Sequence, residues 1–296
     1  MSMAGADPAR PWSAKLPGGE LALRVLSALV LAPLAVAIAY FGGWLFVGFW
    51  GLAALGVLLE WTSLVSTDDR RAVLITGAAS IVIALALAGS AANAAEGMQA
   101  TRLLASIIVL TMGMLGVVVL APRTQRAWVA GGIPYAGALA VAPIVLRSGG
   151  EHGFLAIVFL FVIVWTTDIL AYFGGRALGG PKLAPRISPK KTWSGAIGGA
   201  AAAAIAAIIF AKLAGLADLF ALALIAVILS VCAQAGDLFE SALKRRFNAK
   251  DSGQLIPGHG GLMDRLDGFV AAAVVAALIG LARGGLEAPA RGLLVW

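Results

Sequence analysis

The sequence predicts an all-α, polytopic helical membrane protein with about nine transmembrane helices and a cytoplasmic N-terminus. Three observations carry that prediction. The first is composition: of 296 residues, 60% are hydrophobic and only 12% charged, with a mean hydropathy of +0.94. A soluble domain is about 45–50% apolar and about 25% charged, so this chain lacks the polar residues to clothe a water-facing surface. The second is a series of apolar windows near the length needed to cross roughly 30 Å of hydrocarbon. The third is an uneven distribution of the 22 Lys and Arg residues among the segments between those windows. The same composition excludes a disordered chain. The 37 glycines follow no three-residue period, which excludes collagen, and the single Cys232 allows no intrachain disulfide.

Taken in order, the expected spans are Val25 to Phe41, Trp44 to Val65, Ala72 to Ala92, Leu103 to Ala121, Ala127 to Leu146, Phe154 to Phe173, Gly195 to Ala211, Leu219 to Gly236 and Gly268 to Leu281. Each is bounded by charges or turn residues. Positive charges near span ends are retained in the cytoplasm. With the N-terminus inside, only Arg102, Arg147, Lys212, Arg283 and Arg291 fall outside, and every other Lys and Arg falls inside. Residues 1–24, with Pro8, Pro11 and Pro17 and no signal-peptide pattern, read as a flexible cytoplasmic tail. Residues 25–150 read as a helical scaffold open to dimer or lipid contacts, 151–284 as the catalytic region, and 285–296 as a short C-terminal tail.

Charge is sparse in the first 150 residues, and the acid inside a proposed span there is Glu60. It lies near the cytoplasmic end of the second span, within expected reach of water, so an interfacial carboxylate is the preferred reading over one facing a polar cavity. The polar residues of the second half gather in two cytoplasmic segments, 166–194 and 237–267, and chemistry is expected there. In the first, Asp168 and Tyr172 share a helix face, and a carboxylate at that depth normally faces a polar cavity or a partner. Gly174, Gly175, Gly179 and Gly180 are expected to break the helix into a loop. That loop carries Lys182, Arg186, Ser188, Pro189, Lys190, Lys191 and Thr192. The charges alone fit a topology signal, whereas hydroxyls and a turn beside paired lysines suit phosphate oxygens.

The second segment holds five acids and five bases. Asp237, Glu240, Ser241 and Lys244 fall on one helical stripe, and Asp264 and Asp267 lie three apart on another. Carboxylates at the mouths of two spans can converge on one cation, and Mg²⁺ suits such a site because it retains waters and bridges substrate phosphates. Pro257-Gly258-His259-Gly260-Gly261 reads as a loop whose backbone N–H groups approach an anion closely. A solvated amphipathic linker is the plainer alternative for the whole segment.

Ser241 to Asp267 resembles the signature of the phosphatidate cytidylyltransferases, the CDP-diacylglycerol synthases. Its fixed positions are met by Ser241, Lys244, Arg245, Lys250, Asp251, Gly253, Pro257, His259, Gly260, Gly261, Asp264, Arg265 and Asp267. Asp168, Ala171 and Tyr172, Gly174 to Arg176, and Ser188 to Thr192 resemble the same family's second block. The likeness seen in these motifs covers about Trp165 to Asp267, and the N-terminal half agrees only in being membrane-embedded. One position departs: where the family usually has an acid, this chain has Ser194.

The resemblance implies transfer of CMP from CTP to phosphatidic acid, giving CDP-diacylglycerol and pyrophosphate. It implies Asp237 and Asp264 as ligands of Mg²⁺, with Asp267 and Asp251 auxiliary, and room for a second cation. Lys244, Arg245, Lys250 and Arg265 would bind the triphosphate and lipid phosphate, with the glycine-rich loop at His259 folding over the nucleotide. Ser188, Lys190 and Lys191 would complete the anion pocket. The expected partners are CTP, phosphatidic acid and membrane lipids, with a homodimer compatible and no nucleic acid. The expected location is a bacterial cytoplasmic membrane with the site facing the cytoplasm. The rivals are a CTP-dependent polyprenol or isoprenoid kinase, which would release CDP, and a transporter, which would place charge near the midplane of two related halves.

Overall fold

The computed structural model describes residues 19–65, 70–91, 98–121, 123–148, 151–253 and 260–296. Among these the long helices are α1 (Gly19–Phe41), α2 (Gly43–Val65), α3 (Arg70–Ala91), α4 (Met98–Leu120), α5 (Arg126–Arg147), α6 (Glu151–Leu178), α7 (Trp193–Leu213), α8 (Leu219–Arg246) and α9 (Met263–Gly284). Eight of them, α2 to α9, are long and apolar enough to cross a membrane, and α1 adds the shorter apolar stretch Leu29–Phe41. Each expected span falls on one of these helices. Leu52, Ile75, Val119 and Phe220 point away from the protein, as they do when lipid replaces water around a helix. The interior is sealed by aromatic packing, with Trp50 on α2 stacked on Phe269 of α9 at 4.6 Å. His259 and its neighbours Pro257 and Gly258 lie outside the described residues.

The helix ends differ from the hydrophobic windows, and the differences build the site. Helix α6 runs straight through Gly174 and Gly175, which were expected to break it. Gly175 serves a close crossing instead: a Cβ there would lie 2.8 Å from Thr192 Oγ1 and 3.5 Å from Gly195 Cα at the start of α7. The break comes at Gly179 and Gly180, whose φ values of +63° and +100° suit glycine. The chain then forms a small hairpin of β1 (Lys182–Ala184) and β2 (Ser188–Thr192), antiparallel with Lys182 opposite Thr192, where a plain loop was expected. Trp193 N–H closes its base on the Pro181 carbonyl at 3.0 Å.

Thr192 then caps α7, its hydroxyl accepting from Gly195 N–H at 3.2 Å. Ser194, the departure from the family pattern, donates to the Gly179 carbonyl and lies 3.0 Å from Thr192 Oγ1. It therefore ties the end of α6 to the start of α7, using a donor that an ionised carboxylate lacks.

Helix α8 continues to Arg246, well past the apolar window, so the acid and base stripe is helical. Hydrogen bonding carries a helix on after its hydrophobicity stops. Lys244, Arg245 and Arg246 in its last turn suit the negative end of the helix dipole. Helix α9 begins at Met263, ahead of the window, with Asp264 in its first turn. The two helices meet through glycine: a Cβ on Gly236 would lie 2.5 Å from the Asp267 carbonyl, and one on Gly268 would lie 3.1 Å from the Ala233 carbonyl. That contact brings Asp237 beside Asp267. The C-terminal residues read as a tail fold back as α10 (Pro289–Leu294), with Leu293 and Leu294 buried. Arg283 holds them by donating to the Gly292 carbonyl at 2.7 Å and lying 3.5 Å over the Trp296 ring.

Candidate active site

A cavity of about 650 Å³ opens between α6, the hairpin, α7 and α8, within the size range of small-molecule sites. Asp168, Tyr172 and Arg176 line it from α6, Lys182, Lys190 and Lys191 from the hairpin, and Gln234 and Asp237 from α8. Four cations thus face two carboxylates, a balance suited to a polyanion. Asp168, Tyr172 and Arg176 recur at helical spacing on one face, and Arg176 donates to the Tyr172 hydroxyl at 3.2 Å. Pro189 sits at the hairpin edge, where its missing N–H leaves no ladder bond unmade. Gln234 is aimed by two bonds from its amide nitrogen, to the Ala196 carbonyl at 3.2 Å and Ser230 Oγ at 3.3 Å.

Asp237 is the pivot. Its Oδ2 is ion-paired with Lys191, and its Oδ1 accepts from Ser241 at 3.3 Å. Asp168, Asp237 and Asp267 lie within electrostatic reach of one another, with Lys191 the ammonium facing them. Of the three, Asp168 and Asp237 line the cavity and offer oxygen ligands to a cation that enters with a phosphate. Among the described residues no three His, Cys, Asp or Glu side chains form a ready-made metal cluster. Mg²⁺ does not need one, because one or two carboxylates with waters and substrate phosphates suffice.

A second cluster stands beside the first, further along α8. Lys244 pairs with Glu240 Oε2 and Asp264 Oδ1, each at 2.6 Å. Asp264 also accepts from Ser252 N–H at 3.1 Å and Gly261 N–H at 2.8 Å, so both its oxygens are engaged. Glu240 is 1% exposed, and its Oε1 has no hydrogen-bond partner among the described residues. Gly260, at φ +82°, passes close enough that a Cβ would lie 3.2 Å from Asp264 Oδ2.

The remaining expected residues are more dispersed. Arg245, Lys250, Asp251 and Arg265 are exposed around the α8–α9 connection, and Ser188 is half-buried in β2. None of these five lines the cavity among its described walls. His259 falls outside the described residues. Glu60 corrects the expectation of an interfacial carboxylate reaching water: it is 3% exposed and accepts from Leu262 N–H at 2.8 Å and Met263 N–H at 2.7 Å. A buried carboxylate is costly unless hydrogen-bonded, and the start of α9 supplies the donors. Its one sequence signal is a lone acid inside an apolar span. Arg176, Lys182 and Gln234 also enter the cavity without having been singled out as site residues.

Membrane-crossing helices with a cation-lined cavity at one end define an integral membrane protein built around a phosphate-bearing substrate. The chain belongs to the cytidylyltransferase family, which it matches over residues 22–282. A phosphatidate cytidylyltransferase of Brucella abortus (biovar 1, strain 9-941) is 43% identical over 261 residues, covering 88% of this chain and 93% of that protein. A phosphatidate cytidylyltransferase of Bacillus subtilis (strain 168) is 47% identical over 128 residues, 43% of this chain and 48% of that one. A third, from Rickettsia bellii (strain RML369-C), is 43% identical over 139 residues, 45% of this chain and 60% of that one. The Brucella match extends the likeness through the N-terminal half, which the motifs alone connect to the family only by its membrane character.

Proposed function

We propose that this protein is a phosphatidate cytidylyltransferase that transfers CMP from CTP to phosphatidic acid at the cytoplasmic face of a bacterial inner membrane, with its N-terminus inside. The observation that carries the reading is the cavity, where Arg176, Lys182, Lys190 and Lys191 surround Asp168 and Asp237 between helices long and apolar enough to cross a membrane. The names of the relatives support the substrate pair, and the excess of Lys and Arg on one side of the spans supports the orientation.

A phosphate oxygen of the lipid attacks the α-phosphorus of CTP, the new P–O bond forms, and the bond to the β-phosphate bridging oxygen breaks to release pyrophosphate. Such a reaction needs positioning and charge neutralisation more than a strong base. Lys182, Lys190 and Lys191 receive the triphosphate from the hairpin, and Arg176 receives phosphate oxygens from α6. Asp237 orients Lys191 through their ion pair. Lys244 stands about two helical turns further along α8, held by Glu240 and Asp264. Asp237, a carboxylate of the cavity wall, would hold Mg²⁺ together with waters and substrate phosphates, and the ion would supply neutralisation of charge on the phosphoryl oxygens. Asp264 could join that ion only by releasing Lys244 and the two N–H groups it now holds. The phosphatidate stays in the bilayer throughout, because its acyl chains would be expensive to expose to water.

CTP binding to the purified protein tests this assignment. Calorimetry in detergent with Mg²⁺ should show saturable binding of CTP that Lys190→Ala with Lys191→Ala removes. Unchanged binding in that variant would move the nucleotide elsewhere.

A further inference from the structure

We propose that Glu60, on α2 in the N-terminal half, is a positioning residue for the transfer reaction: it fixes the neck of the α8–α9 connection and thereby the places of Asp264 and Lys244. The inference rests on the function proposed above. One carboxylate holds both sides of the neck. Glu60 Oε2 accepts from Ser252 Oγ at 3.1 Å on the side leaving α8. It also accepts from Met263 N–H at 2.7 Å, and Oε1 accepts from Leu262 N–H at 2.8 Å, on the side entering α9. Asp264 grips the same neck through Ser252 N–H and Gly261 N–H, and together with Glu240 it holds Lys244. Glu60 and Asp264 therefore meet on Ser252, and moving one carboxylate moves the seat of the other.

The backbone is shaped to admit Glu60. A Cβ on Gly253 would lie 2.6 Å from Glu60 Oε1, and one on Gly261 would lie 2.7 Å from Glu60 Oε2 and 1.9 Å from Ser252 Oγ. Side chains at either position would push the neck off the carboxylate. Glu60 is itself held in place from outside the catalytic region. The next residue, Trp61, donates to the Trp128 carbonyl at 2.7 Å and fits against Gly132, where a Cβ would lie 2.6 Å from its Cδ1. The Trp61 ring also stacks on Phe239, the residue before Glu240, with ring centres 6.3 Å apart. A plain helix cap would need only the N–H groups of α9; the Ser252 hydroxyl across the neck is what makes Glu60 a clamp. Three donors converge on it, so an acceptor-only group is required, and glutamine would turn an N–H₂ toward one of them.

Steady-state kinetics of the full-length protein in mixed micelles, varying CTP and phosphatidic acid separately, test the proposal. Glu60→Gln should raise the KM for CTP about tenfold or more and lower kcat, while the KM for phosphatidic acid stays within about twofold. Ser252→Ala, a milder change, should shift the KM for CTP in the same direction. The double variant should be no worse than Glu60→Gln alone, because the hydroxyl acts through that carboxylate. Hydrogen exchange at the Leu262 and Met263 amides should quicken in Glu60→Gln. A normal KM for CTP in Glu60→Gln, or equal losses on both substrates, overturns the proposal. If Glu60→Gln does not fold, Ser252→Ala decides, and an unchanged KM for CTP in it overturns the proposal. Wild-type protein that makes no CDP-diacylglycerol refutes the proposed function instead, and the exchange rates then decide the clamp alone: unquickened amides in Glu60→Gln overturn it.

Discussion

Asp237 and Asp264 look alike in the sequence, each an acid at the mouth of a span, yet the fold treats them differently. The Asp237 side chain is 33% exposed, faces the cavity and touches Lys191 and Ser241. The Asp264 side chain is 13% exposed and joins Lys244 to two backbone N–H groups. Asp237→Asn should therefore lower kcat/KM about 100-fold or more while leaving the melting temperature near that of the wild type. Asp264→Asn should lower both, since it leaves a half-buried lysine with one fewer partner, a loss of about 3 kcal/mol. Turnover and thermal melting of the two variants side by side check this pair. Equal melting losses would mean that both acids serve the fold alike.

At the level of elements, the site depends on helices that approach more closely than side chains allow. Gly236→Val would drive a branched side chain into the Asp267 carbonyl of α9, costing about 1–3 kcal/mol and separating Asp237 from Asp267. Activity should fall further than stability, as comparison of kcat/KM with denaturant midpoint would show. Ser194→Ala removes the donor to the Gly179 carbonyl and should cost about 1 kcal/mol in a melting measurement. The helices themselves were legible in the sequence, because crossing a bilayer demands apolar windows that composition reveals. Their ends were not, since α8 carries its hydrogen-bond ladder to Arg246 after hydropathy has stopped. Nor was the hairpin, whose short polar strands have no apolar alternation to betray them. Gly175 carries the sequence signal of a breaker, because a glycine in sequence does not say whether it supplies a turn or a helix contact. Asp168, Lys190, Lys191 and Asp237, which line the cavity, stand out by motif and depth, whereas Glu60 meets Ser252 across 192 residues, a distance no local pattern spans.

For the whole molecule, the two halves are joined, because α2 and α5 pack against α9 and α2 delivers Glu60 to the α8–α9 connection. The surface loops of the N-terminal half are a different matter: Arg123 is exposed between α4 and α5, and Arg123→Ala should leave turnover unchanged. The proposed orientation is open to direct test by cysteine labelling in a Cys232→Ala background. Arg123→Cys should be protected from an impermeant thiol reagent applied outside intact cells, and Lys212→Cys should react. Reversed labelling would invert the topology and place the cavity on the wrong side for CTP. The central claim is that a basic cavity between α6, the hairpin and α8 couples a soluble nucleotide to a lipid phosphate. It is tested most directly by incubating the purified protein with CTP labelled at the α-phosphate, phosphatidic acid and Mg²⁺. Label entering the lipid fraction with stoichiometric pyrophosphate is the predicted result; label remaining in soluble CDP would make the protein a kinase and contradict the account.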